Sequence, residues 1–101
     1  NREAFSKMQK NVIFINAARG QVVDEDALFE ALSDNKIQWA GLDVFEHEPL
    51  PADDRLLKFE NVFGSPHTAA HSYDASFLTH RIVTEELLDF VEGRQLKYSL
   101  W

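Results

Sequence analysis

Three residues of this 101-residue sequence carry groups from which acid–base chemistry on an anionic small molecule is built: Arg19, Glu48 and His67. Arginine presents a planar fork that matches a carboxylate in two hydrogen bonds and stays charged throughout the working pH range. Histidine is the side chain best suited to exchange a proton near neutrality. A glutamate bonded to the far ring nitrogen would orient the imidazole and stabilise its protonated form. Taken singly, each has a plainer explanation. Arg19 fits a turn cation paired with a surface acid, Glu48 fits loop acidity like that of Glu46, and His67 fits a helix-entry residue after Pro66. Only their joint placement raises them above those explanations, and placement depends on the elements around them.

Val12 to Ile15 is β-branched and aromatic, bounded by Asn11 and Asn16, and reads as a buried strand. The small-residue turn Asn16 to Gly20 follows it and carries Arg19. Ile37 to Phe45 is a nearly continuous apolar run that suits a strand buried on both faces. Asp43 interrupts that run, and a carboxylate there needs a partner because burying it alone is costly. A loop from Glu46 to Asp54 holds Glu48 and Pro49. Asn61 to Ser65 predicts a third short strand, stopped by Pro66 and delivering His67.

Helices fill the intervals. One starts on Asn1 and runs to about Gln9, with Phe5 and Met8 as its apolar face. A second, capped by Asp24, runs to about Ser33 with Ala27, Leu28, Ala31 and Leu32 as its stripe. Leu56, Leu57 and Phe59 form a helical turn that plugs the core. A long helix begins at Ser72 or Asp74 and ends near Glu92, with Gly93 as its stop. Leu78, Ile82, Val83, Leu87, Phe90 and Val91 mark its buried side, and an amphipathic tail runs from Gln95 to Trp101. The class is α/β: a partial Rossmann-like parallel sheet of about three strands, with flanking helices and a long C-terminal helix. So few strands leave an edge uncovered, which points to part of a larger doubly wound domain. In an open parallel sheet ligands sit beyond the carboxyl ends of the strands, so Arg19, Glu48 and His67 are expected to converge. An anion anchor beside an acid–base pair is what oxidation of a 2-hydroxy acid needs, because the hydroxyl proton must leave as the hydride departs.

The bulk composition narrows the partners. Hydrophobic residues make up 45% and charged residues 27%, as in an ordinary globular protein. A net charge of −7 argues against nucleic-acid and anionic-membrane surfaces, which need clustered Lys and Arg. No apolar run approaches bilayer length. With no cysteine there are neither disulfides nor thiolate metal sites, and a cytoplasmic address is compatible. The four histidines show no metal-binding spacing, so no metal is expected.

Three ordered blocks then carry a resemblance: Ile15-Asn16-Ala17-Ala18-Arg19-Gly20-Gln21-Val22-Val23-Asp24-Glu25-Asp26-Ala27-Leu28, Ala40-Gly41-Leu42-Asp43-Val44-Phe45 with Glu48-Pro49, and Asn61-Val62 with Ser65-Pro66-His67. Together they resemble the D-isomer-specific 2-hydroxyacid dehydrogenases, from Phe5 to about Gly93. The resemblance implies that Arg19 holds the substrate carboxylate and polarises its carbonyl, with His67 as acid–base residue and Glu48 as its partner. It implies that Asp43 faces the nicotinamide carboxamide. Ala17 and Ala18 would line the cofactor's ribose and nicotinamide end, joined by Ala70 among the small residues after His67. The implied cofactor is NAD, with NADP not excluded, and the implied substrate a small 2-hydroxy or 2-keto acid. The glycine-rich dinucleotide fingerprint and a separate substrate domain are not in the sequence. Residues 1–101 are therefore expected to be a single partial domain, the C-terminal portion of a dinucleotide-binding domain. Two other readings stand beside this one: a dehydrogenase-like co-repressor or scaffold, and an inactive self-associating fragment. The uncovered edge and apolar tail point to a homo-oligomer, with a dimer expected.

Overall fold

A computed structural model describes residues 1–98, and the final apolar Leu100-Trp101 of the expected tail lies outside the described residues. The chain forms two compact units, residues 1–69 and residues 70–101.

The first unit is built on a three-stranded parallel sheet in the order β1 (Val12–Asn16), β2 (Ile37–Leu42), β3 (Val62–Gly64). Helix α1 (Arg2–Ser6) precedes β1, and α2 (Glu25–Ser33) joins β1 to β2. The caps follow from the sequence. Asn1 accepts from the Ala4 amide at 3.0 Å, and Asp24 accepts from the Ala27 amide at 2.9 Å. The four apolar residues read as the α2 stripe, Ala27, Leu28, Ala31 and Leu32, are all buried. They pack with Phe5, Ile37, Ala40, Leu42, Phe45 and Leu56 into one core, and the ring of Phe5 meets Phe14 edge-on at 5.3 Å. Leu56, on a 3-10 turn at Arg55–Lys58, is wholly buried and Phe59 packs partly against the core, but Leu57 is exposed, so the expected core plug is Leu56 with part of Phe59.

Several expectations need correcting. Helix α1 ends at Ser6, before Gln9, and buries Phe5 alone while Met8 is exposed. Strand β2 stops at Leu42 where Phe45 was expected, because its neighbours run out. The Asp43 amide bonds to the Asn16 carbonyl at the end of β1, and β3 is only three residues long. Asp43, Val44 and Phe45 are nonetheless buried, as a chain turning into the core. The sheet is also not buried on both faces. Val12, Phe14, Ala40 and Leu42 turn toward the core, whereas Ile13, Ile15, Trp39 and Phe63 are exposed on the other face. A register shift between Val12 and Ile13, where Ile13 pairs with Trp39, lets both Ile37 and Ala40 face the core despite their odd spacing.

The second unit holds α3 (Tyr73–Val91). Ser72 caps its start by accepting from the Ala75 amide at 3.0 Å. Its end is a Schellman turn: Gly93 adopts φ +69°, the Arg94 amide bonds to Asp89 O at 2.8 Å and the Gly93 amide to Phe90 O at 3.1 Å. The predicted buried side is not buried. No residue of α3 is buried among the described residues, Ile82 is half-buried, and Leu78, Val83, Leu87, Phe90 and Val91 are exposed. Helical periodicity records the face a helix is able to bury, and burial itself needs a partner surface. No described helix is long and apolar enough to cross a membrane.

Candidate active site

All three strands run in one direction, so the turns after them gather at one end of the sheet, with β2 between the other two. The turn after β1 is shaped by Asn16, whose side chain is buried. Its amide nitrogen donates to Arg19 O at 3.0 Å and its amide oxygen accepts from the Ala18 amide at 3.2 Å. Both ends of one side chain thus hold Ala17, Ala18 and Arg19 in place, with those three residues facing outward. Gly20 then packs backbone to backbone against the end of the β2 run. A Cβ on it would lie 1.9 Å from the Phe45 carbonyl oxygen. Only glycine permits that approach, which draws Arg19 beside the Glu46–Pro49 loop.

The Arg19 side chain donates from Nη1 to Ala18 O at 2.5 Å and has no carboxylate partner among the described residues. The pairing with a surface acid that would make it a plain turn cation is not formed. Arg19, Gln21, His47, Glu48 and His67 line one open cleft of about 430 Å³. Glu48 and His67 also border a second, more apolar cavity of about 480 Å³, walled by Phe45, Leu50, Leu57 and Pro66.

His67 Nδ1 and Glu48 Oε2 lie 2.8 Å apart, while Glu48 Oε1 accepts from the Phe45 amide at 2.9 Å. That amide and the His67 ring hold the Glu48 carboxyl below its ordinary range. An ionised Glu48 keeps a proton on Nδ1, so Nε2 is the nitrogen available to give or take a proton. The pair is partly solvated, with side-chain exposures of 48% and 37%. It therefore contributes orientation more than stability. The Glu48–Pro49 peptide is cis.

Among the described residues Asp43 finds its partners without an ion pair. Ser65 Oγ donates to Oδ1 at 2.5 Å, and the Thr68 and Ala69 amides donate to Oδ1 and Oδ2 at 2.8 Å each. Those bonds, Ser65 first and Ala69 next, hold its carboxyl low. They also shape the chain around His67, which adopts φ +53° while its amide donates to Asp43 O at 2.8 Å. A non-glycine residue in that region costs of order 1–3 kcal/mol and persists only where neighbours enforce it.

The structure thus brings Arg19, Glu48 and His67 to one cleft, with Asp43 tied to the His67 loop and Ala17 and Ala18 exposed beside Arg19. Ala70 is the first residue of the second unit, and its cofactor role rests on the resemblance alone. Glu46 is exposed, and His47 is an exposed residue of the cleft. Sequence reasoning missed Asn16, Gly20 and Ser65 as shapers of the site. A polar residue closing a strand and a glycine at its turn were the available signals.

Comparison with known proteins gives a consistent result. Residues 1–69 match the family described as D-isomer specific 2-hydroxyacid dehydrogenase, NAD binding domain. The glyoxylate reductase of Korarchaeum cryptofilum is 45% identical over 91 residues, which is 90% of this chain and 27% of that protein. Glyoxylate/hydroxypyruvate reductase B of Escherichia coli is 45% identical over 92 residues, 91% of this chain and 28% of that protein. A D-isomer specific 2-hydroxyacid dehydrogenase from Xanthobacter autotrophicus, solved with NADPH and MES, superposes with a TM-score of 0.82 at 36% identity. That match covers 96% of this chain and 39% of the solved one. The chain thus spans under a third of these two curated relatives.

Proposed function

The chain belongs to the D-isomer specific 2-hydroxyacid dehydrogenase family of NAD-binding domains, and from that premise we propose that it is the C-terminal portion of a dinucleotide-binding domain in a 2-hydroxyacid dehydrogenase. The full-length protein would move a hydride between NAD(H) or NADP(H) and a small 2-hydroxy or 2-keto acid. Glyoxylate and hydroxypyruvate, named for the relatives, are the first candidates. The observation that carries the reading is the 2.8 Å contact of His67 Nδ1 with Glu48 in a cleft that Arg19 also lines.

The residues present suit the nicotinamide end of the cofactor. Ala17 and Ala18 offer exposed methyl groups beside Arg19, and Asp43 offers a buried carboxylate with lone pairs left for an amide. When bound, the nicotinamide supplies or accepts the hydride. In reduction, the Arg19 fork holds the substrate carboxylate and favours negative charge growing on the carbonyl oxygen. His67 delivers a proton from Nε2 to that oxygen, and Glu48, bonded at Nδ1, keeps the ring in line. In oxidation the same nitrogen takes the hydroxyl proton.

Replacing His67 by Ala in the full-length protein tests this. Turnover of glyoxylate with NADH or NADPH should fall by about 10²- to 10⁴-fold with cofactor binding nearly intact. Full activity in that variant would sink the assignment. A homodimer and a cytoplasmic address belong to the same proposal, checked by sedimentation and fractionation of the full-length protein. The exposed sheet face of Ile13, Ile15, Trp39 and Phe63 supports association with further protein surface.

A further inference from the structure

His67 meets Glu48 from a left-handed backbone conformation, and apart from a bond of its amide to the Ser65 carbonyl at 3.0 Å, the bonds around it converge on a single residue. Asp43 receives the His67 amide on its carbonyl, and the Thr68 and Ala69 amides on its carboxylate. Those amides are backbone groups, so any side chains at 68 and 69 other than proline would supply them. The remaining bond is different. Ser65 Oγ, 2.5 Å from Asp43 Oδ1, is the one side-chain donor to that carboxylate among the described residues. Ser65 sits two residues before His67, is half-buried, and spends its hydroxyl on Asp43 rather than on the cleft that Arg19 lines.

We propose that Ser65 is a positioning residue for the acid–base step, fixing the Asp43 carboxylate in the rotamer that clamps the loop and so aiming His67 at Glu48. The proposal rests on the reading of His67 as the acid–base residue. Without the hydroxyl, Oδ1 keeps one donor, the buried carboxylate is less balanced, and it turns to recover a bond. The Thr68 and Ala69 amides then lose their common anchor, and with it the backbone geometry at His67 relaxes. The Nε2 atom moves away from the carbonyl oxygen, while Arg19, held by Asn16 and Gly20 on another strand, stays where it was.

The test compares Ser65→Ala, Ser65→Thr and His67→Ala in the full-length protein, with glyoxylate as substrate and NADH and NADPH as cofactors. Ser65→Ala should lower kcat by about tenfold, with KM for glyoxylate within about twofold of wild type and any change in cofactor affinity by fluorescence smaller than the change in kcat. Ser65→Thr, which restores the hydroxyl, should recover most of kcat. Wild-type kcat in Ser65→Ala would overturn the proposal. So would a fall matched by lost cofactor binding or lost circular-dichroism signal, which would make Ser65 a cofactor or stability residue. Failure of Ser65→Thr to recover activity counts against it equally. If His67→Ala stays active, the acid–base reading itself fails, whatever Ser65 does.

Discussion

Gly20 and Phe45 touch through their backbones: a methyl group at the Gly20 α-carbon would fall 1.9 Å from the Phe45 carbonyl oxygen and 2.0 Å from its carbonyl carbon. The obstacle is main chain, not the end of a flexible side chain. Gly20→Ala must therefore push the β1 turn away from the β2 end and carry Arg19 with it. We expect a loss of about 1–3 kcal/mol in stability, as for other forced overpacking, and a larger loss of turnover than of stability. Urea unfolding and steady-state kinetics of the full-length variant check this. Unchanged behaviour in both would show that the turn yields freely.

Among the described residues Arg19 lacks a carboxylate partner, and the role proposed for it depends on fork geometry. Arg19→Lys keeps the charge but loses the paired hydrogen bonds. The expected result is a rise in KM for the 2-keto acid of about 10- to 100-fold, the loss of one charge-assisted bond of about 1.5–3 kcal/mol. The KM for cofactor should stay as it was. A variant with wild-type KM for substrate would remove Arg19 from the binding machinery.

Asp43 and Glu48 predict how stability follows pH. Both carboxyls are held below their ordinary values in the folded chain, Asp43 chiefly by the Ser65 hydroxyl and Glu48 chiefly by the Phe45 amide. The unfolded chain takes up those protons first as pH falls. Their contribution is thus complete above the ordinary carboxylate range, near pH 4, and is lost as pH drops through the lower folded-state values. Urea midpoints measured from pH 6 to pH 2 should fall across that acid window, with a shallower fall in Asp43→Asn. Parallel curves for wild type and variant would contradict the assignment.

Phe63 and Ile15 stand 77% and 71% exposed on the bare sheet face, beside Ile13 and Trp39. An apolar surface of this kind drives association. Ile15→Lys with Phe63→Lys should shift the 101-residue chain toward monomer in sedimentation velocity. Identical sedimentation of variant and parent would show that this face does not mediate self-association.

The gathering of Arg19, Glu48 and His67 was legible because parallel strand order alone decides which turns are neighbours. Asp24, Ser72 and Gly93 were legible too, since caps depend on local chemistry. What escaped depended on surfaces and distances. The run Ile37 to Phe45 reads as uniformly apolar, yet only the short reach of β3 and the end of β1 stop its ladder at Leu42. The stripe on α3 has helical spacing, but spacing carries no information about what meets it. Ser65 and Asn16 look like ordinary polar boundaries. Their importance lies in bonds to Asp43, 22 residues away, and to the turn three residues on.

The clamp formed by Asn16 has an entropic consequence. Because its amide already fixes the backbone of Ala18 and Arg19, an arriving carboxylate finds a turn with little freedom left to lose. Binding would have to order only the Arg19 side chain, releasing it from Ala18 O, and ordering one such chain costs about 0.5–1.5 kcal/mol. Recognition of the proposed anion at this turn would then be nearly rigid, and its temperature dependence should reflect hydrogen bonds exchanged with water rather than loop folding.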